Sequence, residues 1–200
     1  MEKIHFAVQA SSTSWSGGKD YCIKMLDGHP VIYWTLKKII DNALNLAITI
    51  IAPEFDRGGS LDVLPGLLKN GEIKLFYGFD GSPLDRLIGA FRDLEDNNYI
   101  VRVDGLNFAF SYEKLSEMYR YAKDNRLDLL KFPDDFPIHF TFDIYRIGAL
   151  RKVRKMLNRE DEMIMYKVHP KYYMLQNPDH FFAKYYTYLP EYSAPELKKY

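Results

Sequence analysis

The run Ser11-Ser12-Thr13-Ser14-Trp15-Ser16-Gly17-Gly18-Lys19-Asp20 is small and polar, contains a lysine, and follows the apolar segment Ile4–Ala10. A loop of this composition leaves backbone N–H groups exposed and can wrap phosphate oxygens. Gly17 and Gly18 permit positive φ and close backbone approach, and Lys19 adds a point charge. Open α/β sheets bind ligands at the carboxyl ends of their strands, so a loop placed there points to a nucleotide. The plain alternative is an ordinary surface loop. Asp134-Asp135 behind Phe132-Pro133 suits a turn. Arg86 and Arg102 could neutralise phosphate or pair with carboxylates inside the fold. His139 is either a packed strand histidine or an acid–base group.

These residues must be held by the elements around them. Apolar runs at Ile4–Ala10, Leu46–Pro53, Glu72–Gly78, Tyr99–Val103 and Leu127–Phe132 predict strands, and Phe136–Phe142 predicts one more. Helical spacing lies between them. Ile32, Tyr33, Leu36, Ile39 and Ile40 follow Asp27-Gly28-His29-Pro30, with Pro30 near the first turn. Leu84, Leu87, Ile88 and Phe91 make a second apolar stripe, and Leu115, Met118, Tyr119 and Ala122 a third behind Ser111 as N-cap. Ile144–Leu157 predicts a helix whose Arg151, Lys152, Arg154 and Lys155 form a solvated face or, alternatively, a phosphate site. Alternating strands and helices imply βαβ units on a mainly parallel sheet.

From about Arg159 the composition turns aromatic, with Tyr172, Tyr173, Phe181, Phe182, Tyr185, Tyr186, Tyr188 and Tyr192. Aromatics at this density bury against something: either the domain itself or a second subunit. The expected division is therefore a domain over 1–158 and an aromatic extension over 159–200.

Two hundred residues, 47% hydrophobic and 16% aromatic, can bury a sizeable core and exclude a disordered chain. Lys plus Arg equals Asp plus Glu at 27 each, so no net field gathers a polyanion and nucleic acid is not an expected partner. A single cysteine, Cys22, excludes an intrachain disulfide framework and a zinc cluster, and fits a reducing, cytoplasmic compartment. Neither a signal h-region nor a membrane-length apolar span occurs, so no membrane is expected.

Ser16-Gly17-Gly18-Lys19-Asp20 resembles the S-G-G-K-D-S motif of adenylating ATP-pyrophosphatases, but Tyr21 stands in the last position and five residues separate the motif from its strand. The P-loop pattern fails too, because Asp20 follows the lysine where serine or threonine is required. A longer resemblance, from residue 4 to about 157, is to the cytidylyltransferase family of spore-coat polysaccharide proteins and synthetases of CMP-activated sugar acids. Val8-Gln9-Ala10 with Gly18-Lys19 resembles that family's I-Q-A-R-x-x-S-x-R-L-P-G-K opening. Leu26-Asp27-Gly28-His29-Pro30-Val31-Ile32 resembles L-x-G-x-P-x-I, and Gly81-Ser82-Pro83-Leu84-Asp85-Arg86 resembles G-S-x-x-x-V-L-x-R. Arg102-Val103-Asp104-Gly105-Leu106-Asn107-Phe108 falls on R-x-T-G-D-C-P-L, and Phe140-Thr141-Phe142-Asp143 with Ala149-Leu150 on the strand and helix that close the site.

The resemblance implies a three-layer α/β/α nucleotide-diphospho-sugar transferase (Rossmann-like) fold that passes CMP from CTP to a sugar or sugar acid, as a possible homodimer. It places the nucleotide on Gln9, Ala10, Ser11, Gly17, Gly18 and Lys19, with Arg86 and Arg102 nearby. Magnesium on carboxylates, with arginine and lysine, would manage the phosphate charge. This chain departs there: Leu106 replaces the family's aspartate, and Pro137 and His139 align with its D-x-E pair. Neither leucine nor proline binds magnesium, and imidazole suits it poorly. Asp104, Asp134 and Asp135 lie close enough in sequence to substitute, which makes Lys19 and Asp104 the expected catalytic pair and Asp104 the expected metal ligand. Three functions follow: an active transferase with displaced ligands, a non-catalytic homologue that binds nucleotide or sugar or acts through protein association, or a glycosyltransferase on an activated sugar. The last would normally carry D-x-D, which this chain lacks.

Overall fold

The computed structural model describes residues 3–13, 18–42, 45–68, 73–157 and 164–187. The elements run β1 (Ile4–Gln9), β2 (Met25–Leu26), β3 (His29–Pro30), α1 (Val31–Asn42), β4 (Leu46–Pro53), α2 (Leu64–Leu67), β5 (Ile73–Gly78), α3 (Pro83–Ala90) and β6 (Tyr99–Asp104). They continue as α4 (Tyr112–Asp124), β7 (Leu129–Lys131), β8 (Asp143–Arg146), α5 (Ile147–Met156), α6 (Ile164–Val168), α7 (Pro170–Gln176) and β9 (Ala183–Tyr185). Seven strands form one sheet in the order β5-β4-β1-β6-β8-β7-β9, and β2 pairs with β3 in a separate hairpin. Only β8 runs against its neighbours; the remaining sheet pairings are parallel.

Strand alternation builds two cores. In β1, Phe6 and Val8 face the side covered by Ile32, Leu36 and Ile39 of α1 and Leu115, Met118 and Ala122 of α4. Ala7 faces the opposite side, with Leu84 and Leu87 of α3 and Ala149, Leu150 and Val153 of α5. Helices on both faces make a three-layer α/β/α architecture. Local signals agree with it. Ser82 and Ser111 accept from the backbone N–H groups of Asp85 and Lys114, each at 3.2 Å, and cap α3 and α4. Asp27 and Gly28 both take positive φ, as the two-residue turn between β2 and β3 requires.

The predicted strand Phe136–Phe142 does not form. That segment turns, with the Phe136 N–H on the Pro133 carbonyl at 3.2 Å, and winds into a 3-10 turn at Ile138–Phe140. Pro133 and Pro137 lack the N–H a ladder needs, and Phe136 and Phe142 pack on Phe132 instead, with ring centroids 4.9 and 5.0 Å away. The strand lies later, at Asp143–Arg146, so α5 starts at Ile147 rather than Ile144.

Much of the α5 basic run is structural. The Arg151 guanidinium donates to the Arg92 and Leu94 carbonyls at 2.9 Å and pairs with Asp96. Arg154 reaches Asp85 at 2.7 Å, and Lys152 reaches the His180 carbonyl at 2.6 Å. Aromatic residues 164–187 pack on the same sheet. β9 pairs with β7, Tyr173 and Phe181 enter the α5 side of the core, and Tyr186 enters the other. Tyr172 and Tyr185 donate their hydroxyls to Asp134 at 3.4 and 3.1 Å, while Lys131 holds the same carboxylate at 2.7 Å. Tyr188 and Tyr192 lie outside the described residues. No helix among the described residues is long and apolar enough to cross a membrane.

Candidate functional site

Parallel strands that end together leave a crevice between the loops they feed. Here β1, β4 and β6 end around a cavity of about 420 Å³, with Gln9, Ala10 and Ser11 on one wall, Pro53 and Phe55 on another, and Asp104, Gly105 and Leu106 after β6. Gly105 is required by close approach: a Cβ there would meet the Cys22 Cβ at 2.8 Å and the Ile32 Cβ at 3.4 Å. Its carbonyl accepts from the buried Thr35 hydroxyl at 2.8 Å, and its N–H donates to Gln9 at 2.9 Å. Cys22 donates its thiol to the Ser11 carbonyl at 3.2 Å, and burial pushes that thiol far above its ordinary value, so it is not a nucleophile here.

The first loop is more self-contained than its composition suggests. The Ser12 N–H donates to Asp56 at 2.9 Å, with the Ser12 hydroxyl on the same carboxylate; the Thr13 N–H donates to the Ser11 hydroxyl and the Asp20 N–H to the Ser12 carbonyl. These three N–H groups of the loop are therefore engaged within the protein, one of them by the Asp56 carboxylate. Gly18 adopts φ +81° and Lys19 bridges to Thr13, both exposed beside the cavity rather than on its wall. Gly17 lies outside the described residues.

Arg86 is the cation on the wall. Its side chain rises from α3 and is buried, with Nη1 donating to the carbonyls of Phe79 and Asp80 at 2.6 and 2.9 Å. Nε is buried without a partner, a condition that costs about 1–3 kcal/mol. Burial pushes this guanidinium below its ordinary value, with Asp80 and Asp56 opposing the shift. Asp20, Asp80 and the exposed ring of Phe55 complete the cavity with acceptors and an aromatic face.

Arg102 belongs to a separate, tight cluster on the α3/α5 face. Arg102 and Asp104 sit two residues apart on β6, hence on one face, and Asp143 of β8 pairs directly with Arg102. Arg102 donates from Nη2 to Asp104 at 2.6 Å, from Nη1 to Asp143 at 3.5 Å, and from Nε and Nη2 to Gln9 at 3.3 and 3.1 Å. Lys171 of α7 reaches Asp143 at 3.4 Å, and His169 closes the cluster. Burial alone would weaken the Arg102 charge, but Asp104 and Asp143 outweigh it and raise its pKa.

Lys171 and His169 are absent from the sequence candidates, and Asp143 is there only as the last residue of the segment matched to the strand that closes the family's site. Asp143 was hidden by the misplaced strand, and the other two by their distance along the chain. Asp134 is tied to Lys131, Tyr172 and Tyr185, and His139 sits on the 3-10 turn with Nδ1 2.9 Å from the Leu106 carbonyl. Magnesium demands near-octahedral oxygen ligation. Asp104 and Asp143 are committed to Arg102 and Lys171, and among the described residues no group of three His, Cys, Asp or Glu could hold a metal. Asp104, the expected metal ligand, is paired here with the Arg102 guanidinium.

No protein-family model matches the chain, and no curated protein sequence matches it significantly. Solved structures do. A cytidylyltransferase from Leptospira borgpetersenii superimposes with a TM-score of 0.72 at 15% identity, covering 93% of this chain and 76% of its own. CMP:2-keto-3-deoxy-manno-octonic acid synthetase complexed with CTP gives 0.60 at 10% identity, covering 100% and 96%. Molybdopterin-guanine dinucleotide biosynthesis protein A from Archaeoglobus fulgidus gives 0.58 at 15% identity, covering 98% and 86%. With a mainly parallel seven-stranded sheet layered between helices, this chain has the nucleotide-diphospho-sugar transferase fold, and its structural neighbours include cytidylyltransferases.

Proposed function

We propose that this protein is cytidylyltransferase-like: it seats a cytidine nucleotide in the cavity above β1, β4 and β6 and passes CMP from CTP to a sugar or sugar acid of surface-polysaccharide or sugar-acid biosynthesis. The observation that carries the reading is Arg86, a buried cation on the cavity wall whose Nε lacks an acceptor. The positive charge of Arg86 on that wall attracts a phosphate. Lys19, exposed on the first loop and bridged to Thr13, adds a second positive charge off the wall, Phe55 offers a ring face to the base, and Asp20 and Asp80 accept from hydroxyl or amino groups. In the transfer, a hydroxyl oxygen of the sugar bonds to the α-phosphorus as the bond to pyrophosphate breaks. The hydroxyl proton passes to Asp104, the carboxylate on the wall nearest the later strands.

A second reading, binding without transfer, is favoured by one observation: Arg102 pairs with both Asp104 and Asp143, two carboxylates that a metal managing the departing pyrophosphate would otherwise use. Calorimetric titration with CTP, UTP and ATP, each with and without magnesium, tests both when paired with a pyrophosphate-release assay over sugar acids. CTP binding weakened about tenfold or more by Arg86→Met, and by Lys19→Ala, is the expected result. No binding of any nucleotide overturns the proposal, and CTP binding without pyrophosphate release selects the second reading.

A further inference from the structure

The charge cluster beside the cavity contains two carboxylates, Asp104 and Asp143, and cations of the protein already neutralise both. We propose that Arg102, with Lys171, is an internal counter-ion that closes the Asp104–Asp143 pair to divalent metal, so that ligand binding in the adjoining cavity does not depend on a protein-held ion. The closure stands on geometry alone; its consequence for the ligand rests on the nucleotide reading above.

Three features make Arg102 a fixture rather than a passing partner. It sits inside the sheet, with β6 paired to β1 on one side and β8 on the other, so its backbone has little freedom to withdraw. Its guanidinium donates to acceptors on three strands: Gln9 on β1, Asp104 on β6 and Asp143 on β8. Arginine also stays charged when buried, so it cannot make room by releasing a proton. A divalent ion approaching Asp104 would meet a guanidinium nitrogen already 2.6 Å from the carboxylate oxygen it needs. Lys171 repeats this block on Asp143, whose side chain is only 6% exposed.

The cluster also explains what the C-terminal segment contributes. Lys171 and His169 come from the segment that β9 and the buried Tyr173 and Phe181 hold against the sheet. That segment completes the neutralisation of Asp143. Arg102 and Lys171 act here as positioning residues that decide whether the site takes a metal, and neither is assigned a role on the substrate.

Manganese is the probe, because free Mn²⁺ is read directly by electron paramagnetic resonance without any enzymatic activity. The full chain is titrated as wild type, Asp104→Asn, Arg102→Met and the double variant, with circular dichroism confirming the fold of each. Wild type and Asp104→Asn should bind Mn²⁺ alike, Arg102→Met should bind at least about tenfold more tightly, and the double variant should lose that gain. Wild-type Mn²⁺ binding that Asp104→Asn abolishes overturns the proposal, as does a folded Arg102→Met without the gain. Should Arg102→Met fail to fold, wild type against Asp104→Asn decides alone. CTP titrated in EDTA and in magnesium gives the ligand arm: affinities within about twofold agree with the inference, and binding lost in EDTA contradicts it. Absence of CTP binding in both conditions defeats the nucleotide reading and leaves the manganese result to judge the closure.

Discussion

Arg86 and Arg102 are both arginines buried near the carboxyl ends of the same sheet, but they live in opposite chemical circumstances. Arg102 has three strands of acceptors and two carboxylates around it. Arg86 spends one nitrogen on two backbone carbonyls and keeps a buried Nε without a partner at the edge of a cavity. A charge paired on every side holds a structure together, whereas a cation that lines a cavity with few partners of its own is a place for an anionic ligand. Sequence alone offers the same two roles, phosphate partner or ion-pair partner, for the arginine of the α3 helix and for the one on a strand.

The largest effect should come from breaking the satisfied one. Arg102→Met leaves Asp104 and the deeply buried Asp143 without their shared cation, and losing one member of a buried ion pair costs about 3–5 kcal/mol. Urea unfolding should show that loss as a fall in midpoint at unchanged slope. A loss below about 1 kcal/mol would mean that the cluster is solvated and the contrast with Arg86 is false. Arg86→Met is the mirror experiment. It should lower stability by only about 1 kcal/mol, because one set of carbonyl contacts disappears together with the orphaned Nε. Its nucleotide affinity should fall far more than that of any variant distant from the cavity. If the two arginines exchange these phenotypes, their assigned roles must be exchanged as well.

Gly105→Ala tests the cavity floor between them. The new Cβ must push against Cys22 and Ile32 on the core side, and overpacking of that kind costs about 1–3 kcal/mol. Because Gly105 also ties β6 to Gln9 and Thr35, nucleotide affinity should drop along with stability. Retained affinity in a destabilised Gly105→Ala protein would show that the ligand does not touch this floor.

How far the sequence discloses this arrangement depends on the range of the interactions. The apolar runs of β1, β4, β5 and β6 and the stripes of α1, α3 and α4 are local patterns, and they emerge within a residue or two of their predicted bounds. Phe136–Phe142 misleads because its aromatics mimic a strand while its flanking prolines prevent one, which shifts Asp143 out of view. Asp56 binds Ser12 across 44 positions, and Lys171 meets Asp143 across 28. No spacing rule connects such pairs; only the sheet order brings them together. That is why a loop expected to cradle phosphate with its N–H groups instead gives one of them to a carboxylate of its own chain.

The smallest expected effect probes the satisfied cluster by pH. His169 is half-buried against Arg102, Asp104, Asp143 and Lys171, and burial first, then the Arg102 and Lys171 charges, push its imidazole below the ordinary value. The two carboxylates pull the other way without reversing the shift. A depressed value means the folded protein binds fewer protons than the unfolded chain, so stability rises with pH in this window. The contribution is complete above the unfolded imidazole value near 6.5 and is lost as pH falls through the lower, folded one. His169→Gln should therefore flatten the stability–pH curve below neutrality relative to wild type while leaving the alkaline side unchanged. Chemical denaturation at a series of pH values reads that difference. A steeper curve in the variant, or one unchanged from wild type, would mean that His169 faces solvent and that the two cations do not act on it as a closed cluster.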